Sequence, residues 1–483
     1  MSSEIRNLKP KALWNNFADL NAVPRASKKE ERVIDFMVKF GKKLDLETTV
    51  DKVGNVIIKK PATKGMENRK AIVMQSHLDM VHQKNNDTDF DFDTQGIEMY
   101  IEGDWIKAKG TTLGADNGLG VATIMSILES DNIPHPAIEA LFTIDEETGM
   151  SGAMGLEAGL LEGEILLNLD TEDDDEIGVG CAGGIDITAT NSFITEGLNE
   201  KSKGYKITVK GLQGGHSGMD IHRGFGNANK LMNRILFALK DIAIITEIDG
   251  GSLRNAIPRE SNAIIASEHK DCLKESFKTI SSEIYNEYGS IEKDLELLLE
   301  KCPTPRQVLS KKDQNVLLQT IYTTHNGVFR MSPDIDGLVE TSNNLAKVIV
   351  KNGEIKILCL TRSSVESGKM NLVNNIVAGF ELAGFKVTLG GSYPGWKPNP
   401  SSPILKVLDK TYQKLFNEKP KILACHAGLE CGILGRNYPE MDMISFGPTI
   451  KGAHSPDEKA SISSAQKYWK YVLEILKDIP VIN

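Results

Sequence analysis

The sequence predicts an α/β protein in which the two ends of the chain build one domain around an inserted α+β segment. Three observations predict it. Strand-length apolar runs alternate with helical periodicity up to about residue 180, the rhythm changes near Ile185, and the first rhythm returns after the Pro- and Gly-rich stretch Tyr393–Pro400. The expected division is therefore 1–184 with 395–483 as one discontinuous domain and 185–394 as the other.

In chain order, apolar positions from Leu13 to Leu44, such as Val33, Met37, Phe40 and Leu44, recur at helical spacing and predict two amphipathic helices. Four short β-rich runs follow, Asn55–Lys59, Ala71–Gln75, Ile138–Ile144 and Ile165–Leu169, with a helix at Leu119–Glu129 between two of them. That alternation implies a mixed, partly parallel sheet flanked by helices. The inserted segment reads as strand Tyr205–Val209, helix Asn227–Leu239, strand Ala263–Ser267 and helix Cys272–Tyr288. Strands at Glu354–Leu360 and Lys386–Leu389 then flank a helix at Val365–Ala383, a pattern that suits a sheet with helices on one face. The tail alternates helix Ile404–Phe416, strand Lys421–Ala424, helix Leu429–Leu434, strand Met443–Ser445 and helix Ser463–Ile475.

Composition excludes several classes of function. Hydrophobic residues at 40% and charged residues at 25% of 483 suit a large globular protein. A formal charge of −10, without a long Lys/Arg run, argues against a nucleic-acid partner. No apolar stretch approaches the roughly 20 residues of a membrane helix, and Met1–Pro10 has no signal-like apolar core. No membrane partner and a cytoplasmic location are expected. The six cysteines are scattered, without the spacing of a thiolate metal site or a disulfide framework.

Ligands of open α/β sheets collect at the carboxyl ends of the strands, and four such ends carry ionisable residues. Ala71–Gln75 runs into Ser76-His77-Leu78-Asp79, whose alternation aims His77 and Asp79 to one side, the carboxylate placed to orient the ring. Gly114-Ala115-Asp116-Asn117-Gly118 precedes a helix. Asp116 is there either its cap or, with so many glycines nearby, a ligand that lets the backbone approach an ion. Ile138–Ile144 ends in Asp145-Glu146-Glu147, three acids that call for a nearby positive charge, and Glu146 and Glu147 suit a base and a ligand. Ile165–Leu169 ends in Asp170, beyond which Glu172–Glu176 reads as a solvated face. A further histidine, His454, follows strand Met443–Ser445. Two histidines and several carboxylates are the donor set of hydrolytic zinc, and a pair of such ions needs a bridging carboxylate and a separate, unliganded base.

The segments SHLDMV (Ser76–Val81), GADNG (Gly114–Gly118), DEETG (Asp145–Gly149), NLDTE (Asn168–Glu172) and GAHSPDE (Gly452–Glu458) resemble, in the same order, those of the zinc-dependent dipeptidase, aminoacylase and carboxypeptidase superfamily. Within it the likeness is to the bacterial aminoacyl-histidine, or cytosol non-specific, dipeptidases, and it spans nearly the whole chain. The resemblance implies a di-zinc peptidase domain with an inserted lid. It implies that His77 and Asp170 bind one zinc, His454 and Glu147 the other, and that Asp116 bridges them through a segment with a cis Asp116–Asn117 bond. It also implies that Glu146 is the general acid/base and Asp79 orients His77. Cobalt or manganese could substitute for zinc.

For the lid, the resemblance implies that His216, in Gly214-Gly215-His216-Ser217-Gly218, stabilises the tetrahedral oxyanion. Asn255 and Arg362 would hold the substrate's terminal carboxylate, and Gly428 would contribute a backbone contact. The expected substrate is an unblocked dipeptide, with Xaa-His suggested by the resemblance alone. An N-acyl amino acid deacylase or single-residue carboxypeptidase with the same metal centre is the alternative, and a catalytically silent binding protein a third reading that the presence of all five ligands and Glu146 disfavours. A homodimer is common in the wider family, whereas a lid of this size could complete the site within one chain; both remain open.

Overall fold

The structure is a computed structural model that describes residues 4–482. The chain divides into two compact units: Met1–Gly180 with Pro398–Ala424 and Leu429–Asn483, and Cys181–Lys397 with Cys425–Gly428. The second thus starts a few residues before the expected 185–394 and takes in a four-residue segment of the tail.

The first unit is built on an eight-stranded sheet. Its order is Glu47–Val50, Val56–Lys60, Ile138–Thr143, Ile72–His77, Ile165–Asn168, Asp442–Ser445, Glu176–Cys181 and Lys421–Cys425. Ile72–His77 runs parallel to both neighbours, and Asp442–Ser445 runs parallel to Ile165–Asn168. Val56–Lys60 is antiparallel to Ile138–Thr143, so the sheet is mixed as expected. Ile72–His77 and Ile138–Thr143 are buried throughout, which is why they read as continuous apolar runs and not as alternating ones. Their carboxyl ends fall in register, His77 opposite Thr143, so the loops that follow emerge side by side.

A four-stranded sheet accompanies it, ordered Ile450–Lys451, Lys459–Ser461, Trp105–Ala108 and Met99–Glu102. This corrects the expected position of His454. It does not leave strand Met443–Ser445 directly but sits between the two short strands Ile450–Lys451 and Lys459–Ser461, with a positive φ of 64°.

In the second unit a nine-stranded sheet carries the order Glu296–Cys302, Lys203–Lys210, Ser261–Ser267, Ile244–Gly251, Val339–Lys351, Glu354–Ser363, Gly183–Ser192 and Lys386–Tyr393, and Gly327–Met331 also pairs with Val339–Lys351. Adjacent strands are antiparallel. Alternate strand residues such as Ile185, Ile187, Ile207, Val348 and Ile357 join one apolar cluster with Leu231, Ile284, Leu317 and Leu372 from four helices. That single cluster is the physical content of helices covering one face. Among the described residues no helix is long and apolar enough to cross a membrane.

Candidate metal centre

The five residues expected to ligate metal come together in the first unit. Among the described residues, the histidines and acids whose ligand atoms lie within 4.8 Å of one another form three groups: His77, Asp116 and Asp170; Asp116, Glu147 and His454; and His77, Glu146 and Glu147. Asp116 belongs to the first two. Its Oδ1 lies 3.2 Å from His77 Nε2 and its Oδ2 lies 3.2 Å from His454 Nε2. Asp170 Oδ1 is 3.5 Å from His77 Nε2, and Glu147 Oε2 is 3.0 Å from His454 Nε2. His77, Asp170 and Glu147 are almost wholly covered, whereas the His454 side chain is 57% exposed and marks the side on which the site meets solvent.

The cap reading of Asp116 does not survive. The turn is non-helical at Asp116 and Asn117, the Asp116–Asn117 peptide is cis, and no side chain of the preceding residue caps the helix Ala115–Leu128. The amides of Leu113, Gly114, Ala115 and Asp116 instead donate to Glu458, at 2.7–3.2 Å. Asp116 keeps both carboxylate oxygens for the histidines. Asn117 serves the same end differently, its amide donating to Asp170 Oδ1 at 2.5 Å and to the Leu169 carbonyl at 2.7 Å.

Asp79 holds His77 and the glutamates at once. The His77 Nδ1 side faces the Asp79 carbonyl at 3.1 Å and its carboxylate at 3.4 Å. The carboxylate accepts from Ser27 Oγ at 2.7 Å and from the backbone amides of Glu146 and Glu147 at 3.0 and 3.3 Å. We expect Asp79→Asn to place an amide NH₂ against these donors and to lower kcat about 10–100-fold, the usual cost of losing a residue that orients a metal ligand. Steady-state kinetics beside a zinc titration checks this; wild-type values for both would reduce Asp79 to a structural role.

The positive charge sought by the acidic triplet is local. Asp145, at a positive φ of 56°, turns away from the cluster and is bonded by Lys28, Thr148 and Ser151. Glu146 and Glu147 are thereby left to the metal site. The run read as a solvated face is only partly so: Glu172 is exposed, but Asp173, Asp174 and Asp175 are paired with Lys451, Lys467 and Lys421 at 2.6, 2.7 and 2.8 Å.

Electrostatics follow from this crowding. Burial opposes the charged form of Asp116, but His454 and His77 together hold its carboxyl below the usual range. Burial also works against the His77 imidazolium, yet Asp170, Asp116 and Asp79 hold its pKa well above the ordinary value. The carboxylates of Asp116 and Glu147 push His454 up to about 11. Burial, with Asp170, Glu430 and Glu147 adding to it against the pull of His77, raises Glu146 well above an ordinary glutamate.

These residues fit a pair of divalent cations. Two three-residue groups of imidazole nitrogen and carboxylate oxygen share one carboxylate, as a bridged pair requires. Glu147 Oε1 is buried without a hydrogen-bond donor, a cost that a cation beside it would remove.

In the second unit, the loop segments of His216 and Asn255 are hydrogen-bonded to each other, and His216 meets Arg362 at the end of strand Glu354–Ser363. His216 Nδ1 accepts from the amides of Gly218 and Met219 at 3.2 and 3.0 Å, which leaves the ring proton on Nε2. Burial and Arg362 lower its pKa, which favours the neutral ring. Its Nε2 lies 3.5 Å from Arg362 Nη2, and Arg362 Nη1 donates to Tyr393 at 2.7 Å. Two donors side by side make a place for an anion. The Asn255 carbonyl accepts from Ser217 N at 2.8 Å while its side chain is exposed. Gly428 ends the segment Cys425–Gly428, whose His426 Nε2 bonds at 2.8 Å to the Oγ of Ser342, Arg362's register partner on the neighbouring strand.

Sequence reasoning missed Arg25, Asn117, Tyr393, Glu430 and Glu458. Asn117 and Glu458 were the most accessible of them, each being inside a recognised motif, but no local pattern tells which groups a buried amide or carboxylate will meet.

The chain belongs to peptidase family M20/M25/M40, whose sequence profile matches residues 73–478. It is 45% identical over 482 residues, 99% of each chain, to the cytosol non-specific dipeptidase of Escherichia coli (strain K12). The crystal structure of the aminoacylhistidine dipeptidase of Vibrio alginolyticus is 44% identical and superposes with a TM-score of 0.94, covering 100% of this chain and 99% of that one. The fold is shared more distantly with an aminopeptidase PepT from Bacillus cereus, at 17% identity and a TM-score of 0.58 over 98% and 99% of the two chains.

Proposed function

We propose that the chain is a cytoplasmic dipeptidase that hydrolyses unblocked dipeptides, Xaa-His among them, with two zinc ions as its metals and cobalt or manganese as substitutes. The observation that carries the reading is the single carboxylate of Asp116 set between His77 and His454, with Glu146 beside them. The names of the Escherichia coli and Vibrio alginolyticus relatives support the dipeptide as substrate, and the former supports the cytosol as location.

His77, Asp170 and Asp116 would hold one ion and His454, Glu147 and Asp116 the other. When bound, such a pair polarises a carbonyl and makes water a better nucleophile near neutral pH. Glu146 takes the proton that water loses as its oxygen attacks the peptide carbon, then returns it to the leaving nitrogen as the C–N bond breaks. A carboxyl with a raised pKa suits both halves of that transfer. Asp79 fixes the backbone of Glu146 while it does so. In the second unit, His216 Nε2–H is the proposed donor to the oxyanion and Arg362 the fork for the terminal carboxylate, with Asn255 and Gly428 as supporting contacts.

The decisive measurement is release of free histidine from an unblocked Xaa-His dipeptide by zinc-loaded protein, with the N-acetylated dipeptide and a tripeptide alongside. We expect rapid cleavage of the free dipeptide alone. Preference for the blocked compound would replace this reading by a deacylase.

A further inference from the structure

Glu458 lies four residues after His454 and is 2% exposed. Its Oε2 accepts from the amides of Leu113 and Gly114 at 2.7 and 2.9 Å, and its Oε1 from those of Ala115 and Asp116 at 2.8 and 3.2 Å. All four bonds go to the segment that delivers Asp116. From the other side, Arg25, 1% exposed, donates Nη2 to the Gly114 carbonyl at 2.5 Å and Nη1 to the Leu78 and Asp79 carbonyls at 3.0 and 3.1 Å. One residue of the segment, Gly114, is therefore gripped at both its amide and its carbonyl. There is no room for anything larger: a Cβ at Gly114, where φ is +69°, would come within 2.5 Å of Arg25 Nη2 and 2.8 Å of Met80 Sδ.

We propose that Glu458 is a positioning residue that aims the bridging carboxylate of Asp116 and joins it to His454, so that the second metal position depends on this one buried side chain. It occupies the amides that would otherwise compete for a nearby carboxylate, and so spares Asp116 from capping its own helix. Through Asn117, next in sequence, the same grip reaches Asp170. Arg25 supplies the opposite buried charge and ties the loop of Asp79 to that of Asp116. A carboxylate is required, because four amide donors arranged as two pairs need two acceptor oxygens and meet no donor in return. This rests on the reading of Asp116 as a shared ligand.

The test uses the full chain and Zn²⁺ alone, titrated against a chromophoric chelator, with far-UV circular dichroism and kcat and KM measured on the same samples. Wild type, Glu458→Gln and Glu458→Asp are compared. In Glu458→Gln the amide turns one donor pair into a donor–donor clash. We expect the folded variant to bind the second equivalent of zinc about 10–100-fold more weakly, with kcat falling in parallel and KM changing little. Glu458→Asp, which keeps both oxygens, is expected to recover part of that loss. Unchanged affinity for both equivalents in folded Glu458→Gln overturns the proposal, as does equal weakening of both together with loss of helical signal in the two variants. Should only Glu458→Gln fail to fold, Glu458→Asp decides: a weakened second equivalent supports the role and wild-type binding overturns it. A wild-type protein that holds fewer than two equivalents would instead sink the two-metal reading itself.

Discussion

Replacing Glu146 by glutamine is expected to lower kcat by about 10²–10⁴-fold, the range that a positioned proton carrier contributes, while both metals stay bound and KM moves little. The side chain keeps its shape but can no longer accept a proton and give it back. Its backbone would still donate to Asp79, so the loop that presents Glu147 need not move. The group is suited to the task by its surroundings: burial and the neighbouring Asp170, Glu430 and Glu147 keep its carboxyl protonated at higher pH than in water. Kinetics and metal content must be read on one preparation. Activity within tenfold of wild type, with two metals retained, would take Glu146 out of the proton transfer.

A larger effect is expected from Asp116→Ala. His77 with Asp170, and His454 with Glu147, would each remain as a two-residue remnant without the carboxylate whose two oxygens now face one ring each at 3.2 Å. The loss should exceed the roughly 10–100-fold typical of residues that merely support a ligand, and one equivalent of metal should be lost with it. Elemental analysis after dialysis is the check. Two tightly held equivalents in the alanine variant would show that Asp116 is not shared.

What could be read from the residues alone was whatever the chain states locally. His77, Asp116, Glu147 and Asp170 each follow an apolar run or precede a helix, and a buried strand that ends in a charge is conspicuous without any knowledge of its neighbours. The helix Lys311–Thr323 was also legible but passed over: Ser310 and Asp313 announce its start, and Ser310 Oγ does accept from the Asp313 amide. Long-range partnerships were not legible. Glu458 meets Leu113 across 345 residues, Glu430 accepts from Gln75 across 355, and the lysines that neutralise Asp173, Asp174 and Asp175 all come from the tail. The short strands at Ile450–Lys451 and Lys459–Ser461 were missed for a related reason. At two and three residues they carry no periodicity of their own and exist because Trp105–Ala108 supplies an edge.

The place of strand Asp442–Ser445, inside the eight-stranded sheet and not at its rim, has a consequence for the order in which the protein is made. Synthesis runs from the amino end, so the ribosome delivers six strands of that sheet and four of the five candidate ligands, then the rest of Cys181–Lys397 and the strand Lys421–Cys425, before the strand that must slot in beside Ile165–Asn168 emerges. One of those four, Glu147, waits facing a partner not yet translated. Closing so long a loop costs entropy that only grows logarithmically with length, but the pairing is slow to find. Until His454 and Glu458 arrive, a nascent chain carries the group of His77, Asp116 and Asp170 but not that of Asp116, Glu147 and His454, so the second metal position is the last part of the centre to be made.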